Sequence, residues 1–255
     1  MARPDIAIHT SGDVLDEAGD YVRRMVANTA RRIGGEVAAA RVRLTTYRQT
    51  RAASPALVQA NLTVDGRPVR AQAAARFFRE AGAVLRKQLI AHAIRLREPT
   101  ALRSWPDDSP GGARPPLLAL PPGQRRIQRH KRLPLARCSP GEAALTMDLM
   151  DYECTLFVDA DTGQDSLVSR VGPTGYRLTR LAGLHPPAEP AGLPWTVDVH
   201  PVPRLTPEEA AERLDATDLR YRFFQDAETG RGSVLYLRYD GHYGLLTAAG
   251  PEALR

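Results

Sequence analysis

Cysteine occurs only twice in the 255 residues, at Cys138 and Cys154, and lysine only twice, at Lys87 and Lys131. Two thiols could in principle make one disulfide, a redox pair or half a metal site. No run of about 18 apolar residues is present, and the opening MARPDIAIHT has no apolar targeting core. A soluble, cytoplasmic protein with no membrane partner is expected. The signatures of catalysis are also missing: there is no GxGxxG, Walker GxxxxGK[ST], HExxH or CxxC. The six histidines are scattered, and Asp159, Asp161, Asp226 and Glu228 do not follow the spacing of a calcium loop. These absences predict a protein that is not an enzyme, with no catalytic residue, cofactor, metal or small-molecule substrate.

What is present is a repeat. The turn DADTG at 159–163 returns as DAETG at 226–230, and a gap-free shift of 67 makes 18 of the 50 positions from 134 to 183 identical to their partners. Pro140 falls on Pro207, Asp148 on Asp215, Phe157 on Phe224 and Tyr176 on Tyr243. A period of this kind marks a duplicated structural unit. Each copy reads as a leading strand, a helix opened by Ser139-Pro140 or Thr206-Pro207, and a meander of strands. Modules at 134–183 and 199–250 are therefore expected, joined by a linker at 184–198. Cys138 and Cys154 align with Leu205 and Tyr221, so both thiols are expected to be buried packing residues in a reducing compartment.

Charge is divided unevenly. Residues 1–98 hold 17 basic against 9 acidic residues, 99–133 hold 7 against 2, and 134–255 hold 11 against 18. A polyanionic partner thus belongs to the first half and the segment after it, and arginine suits bidentate phosphate contact.

In residues 1–98 the alternation and helical stripes give the order βαβββα: a strand over 5–10, a helix from Leu15 to Ile33 with Asp13 as its cap, strands carrying Val42 and Leu44 and then Val58 to Val64, a hairpin at Asp65-Gly66, and a second helix from about Ala75 to Leu96. The second helix turns Phe78, Leu85, Leu89 and Leu96 inward. Both helices should cover one sheet face, because the other presents Arg41, Arg43, Gln59, Asn61, Arg70 and Gln72. The fold class is α+β, with a two-layer N-terminal domain. Residues 99–133, dense in proline and glycine, read as a basic linker. Opposite the apolar stripes lie Arg23, Arg24 and Arg31 on the first helix and Arg79, Arg86 and Lys87 on the second. Two neighbouring helices of one sign, with Arg125, Arg126, Arg129, Lys131 and Arg132 nearby, make a surface suited to RNA phosphates.

LTPEEAAERLD at 205–215 and FFQDAETGRGSVLYLRYDGHYGLL at 223–246 resemble the long-form ribosome hibernation promoting factors, also described as the sigma-54 modulation or ribosomal protein S30Ae family. The first copy keeps HKRLPLARCSPGEAA at 130–144 but has Pro173-Thr174-Gly175-Tyr176 in place of Asp-Gly-His-Tyr. The resemblance implies a stress protein that occupies the mRNA and tRNA channel of the small ribosomal subunit and contacts 16S-type rRNA through Arg23, Arg24, Arg31, Arg79, Arg86 and Lys87. Its other family name leaves a sigma-factor modulator acting through the acidic C-terminal half as the alternative. Long-form members have one C-terminal module that pairs between molecules, whereas two modules in one chain supply an intramolecular partner at high effective concentration. A monomer holding a pseudo-dimer through Phe157, Leu167, Phe224, Leu235 and Tyr236 is expected.

Overall fold

The computed structural model describes residues 5–47, 55–98, 120–172, 174–183 and 192–249. The chain divides into two compact units, Met1–Pro116 with Asp148–Tyr152, and Leu117–Met147 with Glu153–Arg255.

The first unit runs β1 (Asp5–Ser11), α1 (Asp16–Arg32), β2 (Val37–Thr46), β3 (Ala56–Val64), β4 (Arg67–Ala75) and α2 (Phe78–Arg97). The sheet order is β1-β2-β3-β4, parallel between the first two strands and antiparallel beyond. Val42 and Leu44 of β2, Val58, Ala60 and Leu62 of β3, and Val69 and Ala71 of β4 are buried. Val22, Val26, Leu85 and Leu89 of the helices are buried as well, each worth about 1.5–3 kcal/mol when fully removed from water. Asp13 does not cap α1. Leu15 holds the cap position without a side-chain bond, and the Asp13 carbonyl instead accepts the Thr46 hydroxyl at 2.9 Å, tying that residue to the end of β2. Asp16 and Glu17 in the first turn complement the helix dipole.

The second unit holds the repeats apart from Asp148–Tyr152, which group with the first. Repeat 1 contains β6 (Arg137–Cys138), α3 (Pro140–Leu149), β7 (Cys154–Asp159), β8 (Asp165–Val171) and β9 (Gly175–Arg180), and repeat 2 contains β11 (Arg204–Leu205), α4 (Pro207–Asp215), β12 (Tyr221–Asp226), β13 (Gly232–Leu237) and β14 (Tyr243–Ala248). Two further strands were not expected. Ile127–Leu133, read as linker, forms β5, and Trp195–Asp198, also read as linker, forms β10. They are exchanged: β5, which precedes repeat 1, pairs parallel with β14 of repeat 2, while β10, which precedes repeat 2, pairs parallel with β9 of repeat 1. The sheets are thus β10-β9-β8-β7-β6 and β11-β12-β13-β14-β5. Proline and glycine are dense only up to Gly123, so β5 itself contains no strand breaker. Its hydrogen-bonding partner lies more than a hundred residues away, beyond the reach of local pattern. Of the expected linkers, 99–119 and 184–191 lie outside the described residues.

The repeated pentapeptide is turn chemistry. Asp159 accepts the backbone N–H of Asp161 at 3.1 Å, and Asp226 accepts those of Glu228 and Thr229 at 3.1 and 2.8 Å. Gly163 and Gly230 both adopt φ +69°, which favours glycine. Reciprocal capping boxes, Ser139 with Glu142 and Thr206 with Glu209, open α3 and α4. Among the described residues no helix is long and apolar enough to cross a membrane.

Candidate nucleic-acid interface

All six basic side chains expected on the outer helix faces are exposed. Three of them converge. Arg24 of α1 and Arg86 of α2 line one groove of about 320 Å³ between the helices, together with Tyr21, Met25, Asn28, Thr29 and Arg32. Arg24 and Arg79 line the adjoining groove with Tyr21, Phe77 and Phe78. Gly82 permits this geometry, since a Cβ there would lie 3.2 Å from the Tyr21 ring. The Arg79 guanidinium stands 5.4 Å from the centre of that ring, a cation–π contact that holds its charge beside Arg24.

The remaining three are placed differently. Arg23 is held by Asp20 at 3.0 Å, which neutralises part of its field; Arg31 bonds the Asn28 amide oxygen; and Lys87 is exposed on α2 without lining either groove. Arg32, in the last turn of α1, also lines the first groove. Its signal was the spacing Arg24, Asn28, Arg32, which stacks three side chains on one face at intervals of four.

The open sheet face carries a different polarity. Arg41 faces Asn61 and Arg43 faces Gln59 across the strands. Gln59 donates to Gln72 at 3.0 Å and Arg70 donates to the same Gln72 oxygen at 2.9 Å. Arg70 is thereby tied into a side-chain row, whereas Arg41 and Arg43 remain exposed. Nor is the basic stretch at the end of the expected linker a free tail. Arg125 donates to the Leu120 carbonyl at 2.8 Å and to Asp215 at 2.6 Å, and Arg129, Lys131 and Arg132 lie within β5.

The residues expected to pair the modules divide between two faces. Phe224 and Leu235 sit in repeat 2's own core with Leu205, Ala210, Leu214, Tyr243 and Leu245, and Phe157, the equivalent of Phe224, is buried at the matching position of β7. Leu167 instead packs with Phe223 and Val234 across the repeats, against Cys154, Leu156, Leu181, Val202, Tyr221 and Leu246. Tyr236 shares the strand face of Val234 and is half-buried. Because side chains alternate along a strand, one step of sequence decides which face a residue serves.

Neither Cys138 nor Cys154 forms a disulfide, and both are only half-buried. Burial, with help from Glu142 and Asp159, pushes the Cys138 thiol up from its ordinary value, which keeps it protonated and unreactive. Among the described residues no group of three His, Cys, Asp or Glu side chains could hold a metal ion.

A family model described as "Sigma 54 modulation/S30EA ribosomal protein C terminus" matches residues 123–178 and again 196–245. Each match takes in most or all of an exchanged strand, so the copies coincide with the repeats. The "Dormancy associated translation inhibitor" of Mycobacterium tuberculosis is 38% identical over 258 residues, covering 97% of this chain and 89% of that protein. Two solved structures are matched with a TM-score of 0.30: a ribosomal subunit interface protein from Coxiella burnetii, at 16% identity over 37% of this chain and 98% of that one, and the N-terminal domain of Thermus thermophilus Protein Y, at 21% identity over 36% and 99%. Near-complete coverage at 38% identity, with the module found twice, leads to one conclusion: the chain belongs to the sigma 54 modulation/S30EA ribosomal protein family.

Proposed function

We propose that the protein is a ribosome hibernation factor that inactivates translation. Its N-terminal domain binds 16S-type rRNA of the small subunit in the channel used by mRNA and tRNAs. The observation that carries this reading is the convergence of Arg24, Arg79 and Arg86 on one exposed surface, in a chain 38% identical along 97% of its length to a protein named a translation inhibitor. Guanidinium groups at a groove favour phosphate oxygens and contribute affinity by charge and shape. Arg23, Arg31 and Lys87 flank the groove and extend the same field. The paired C-terminal repeats satisfy each other within one chain, which keeps the protein monomeric and acting on single ribosomes. Co-sedimentation of the purified protein with ribosomes tests the reading. Binding to small subunits that weakens steeply with salt supports it, and failure to pellet with them at moderate salt overturns it.

A further inference from the structure

Residues 67 apart are equivalent in the two repeats, and several such pairs meet. Glu153 accepts from Arg220 at 3.2 Å. The Gly232 backbone N–H donates to Asp165 Oδ2 at 2.7 Å. Leu167 and Val234 share one apolar cluster. A residue that meets its own equivalent lies near a local twofold axis. On such an axis, two identical modules would set each of these residues against itself.

The two repeats are not identical there. Both carboxylates, Glu153 and Asp165, belong to repeat 1; both guanidiniums, Arg220 and Arg231, belong to repeat 2. Arg231 donates to Asp165 through Nε at 2.7 Å and Nη2 at 2.9 Å, a bidentate geometry. Asp165 is only 5% exposed at its side chain, so this contact outweighs the more open Glu153–Arg220 pair. The shapes differ in the same sense: a Cβ on Gly232 would stand 2.8 Å from the Asp165 Cβ.

We propose that these positions form a heterotypic pairing code, by which the face of repeat 1 accepts only the face of repeat 2. Repeat 1 against a second repeat 1 would set Glu153 on Glu153 and crowd two buried Asp165 carboxylates with no guanidinium between them. Repeat 2 against a second repeat 2 would leave Arg231 without a carboxylate and Arg220 facing Arg220. Rejection of the like module is specificity by repulsion, and it directs each repeat to its sister rather than to the same repeat of another chain. Gln164 and Arg231 each bond back to equivalent segments of their own repeat, Gln164 to Ala182 and Gly183, and Arg231 to Ala249. The two side chains therefore reach the same segment of their own repeats, Gln164 as donor and acceptor and Arg231 as donor only.

Three full-length variants test the code. One carries Arg220→Glu, Arg231→Gln and Gly232→Asp, giving both faces the repeat 1 set. Another carries Glu153→Arg, Gln164→Arg and Asp165→Gly, giving both the repeat 2 set. The third combines all six changes and so exchanges the faces. Each triple variant is expected to lower the melting temperature of the C-terminal half by roughly 5 °C or more and to self-associate in sedimentation equilibrium, while the sextuple variant regains most of the loss and is monomeric. Triple variants that melt with the parent overturn the proposal, and so does a sextuple variant no more stable than either triple, including one that fails to fold.

Discussion

Arg125 Nη1 lies 2.6 Å from Asp215 Oδ1, joining residues 90 positions apart. The Tyr243 hydroxyl bonds the same carboxylate oxygen. Arg125 stands just before β5, Asp215 ends α4 and Tyr243 opens β14, so the three side chains fasten the exchanged strand at the point where it joins the other repeat's sheet. Both charged side chains are about four-fifths buried, and the ion pair is worth about 1 kcal/mol. Arg125→Ala should speed amide hydrogen exchange along Ile127–Leu133 and Tyr243–Ala248. Arg126→Ala, at an exposed neighbour, should change stability by less than about 0.5 kcal/mol. Equal exchange rates in the two variants would remove the anchoring role.

Charge removal on the helix faces should separate the two candidate RNA surfaces. Replacing Arg79, Arg86 and Lys87 together by Gln is expected to weaken ribosome binding and flatten its salt dependence by roughly one unit of slope for each phosphate no longer neutralised. Arg24→Gln should act in the same direction, since Arg24 lines both grooves. Replacing Arg41, Arg43 and Arg70 is expected to leave the slope unchanged. The reverse ranking, measured on folded variants, would move the RNA surface to the open sheet face.

Two tyrosines set an alkaline limit on the second unit. Burial, followed by the Cys154 thiol, pushes Tyr221 up to about 12, against a smaller opposing bond from Ser169. Burial and the Asp215 carboxylate do the same to Tyr243, also to about 12. A folded pKa raised above the unfolded value of about 10 means that the native state keeps a proton the unfolded chain releases. The stabilisation is complete below about pH 10 and is lost as pH climbs towards about 12, on the order of 2 kcal/mol for Tyr221 and less for Tyr243. Urea midpoints measured from about pH 9 to about pH 12 should fall along that window, less steeply in Tyr221→Phe. A flat profile would contradict it.

The repeat was legible because duplication leaves identities at a fixed spacing, and βαβββα was legible because β2, β3 and β4 each have one apolar and one polar face. The strands of the repeats lack that contrast. Leu167 and Val168, like Val234 and Leu235, are apolar neighbours pointing to opposite faces, and all four are buried. A strand covered on both sides reads as a continuous apolar run, so sequence cannot say which residue faces the module's own helix and which faces the sister module. The exchanged strands were hidden for a different reason. IQRHKRL carries three basic residues in seven, and only its pairing with β14 makes it a strand. Asp13 as a helix cap followed composition correctly but missed the bond its carbonyl makes to Thr46.

Ending the chain after Gly183 tests whether the repeats depend on each other. That truncation removes β10 and all of repeat 2, so β9 loses its parallel neighbour and becomes a bare edge, while β5 has no β14 to join. Leu156, Leu167 and Leu181 lose the cover of Phe223, Val234 and Leu246. A single module of about 50 residues has a marginal core even when its surface is polar, and an apolar face beside an open edge strand invites pairing with another chain. The truncated protein should therefore self-associate or precipitate at concentrations where the full-length chain is expected to stay monomeric in sedimentation equilibrium. In sucrose gradients with ribosomes, the full-length protein should travel with single particles and generate no ribosome pairs, because the face and the strands available for pairing are already used within the chain. If the full-length protein instead shifts ribosomes into dimers, the repeats pair between chains, and the exchange of β5 and β10 closes a dimer rather than a monomer.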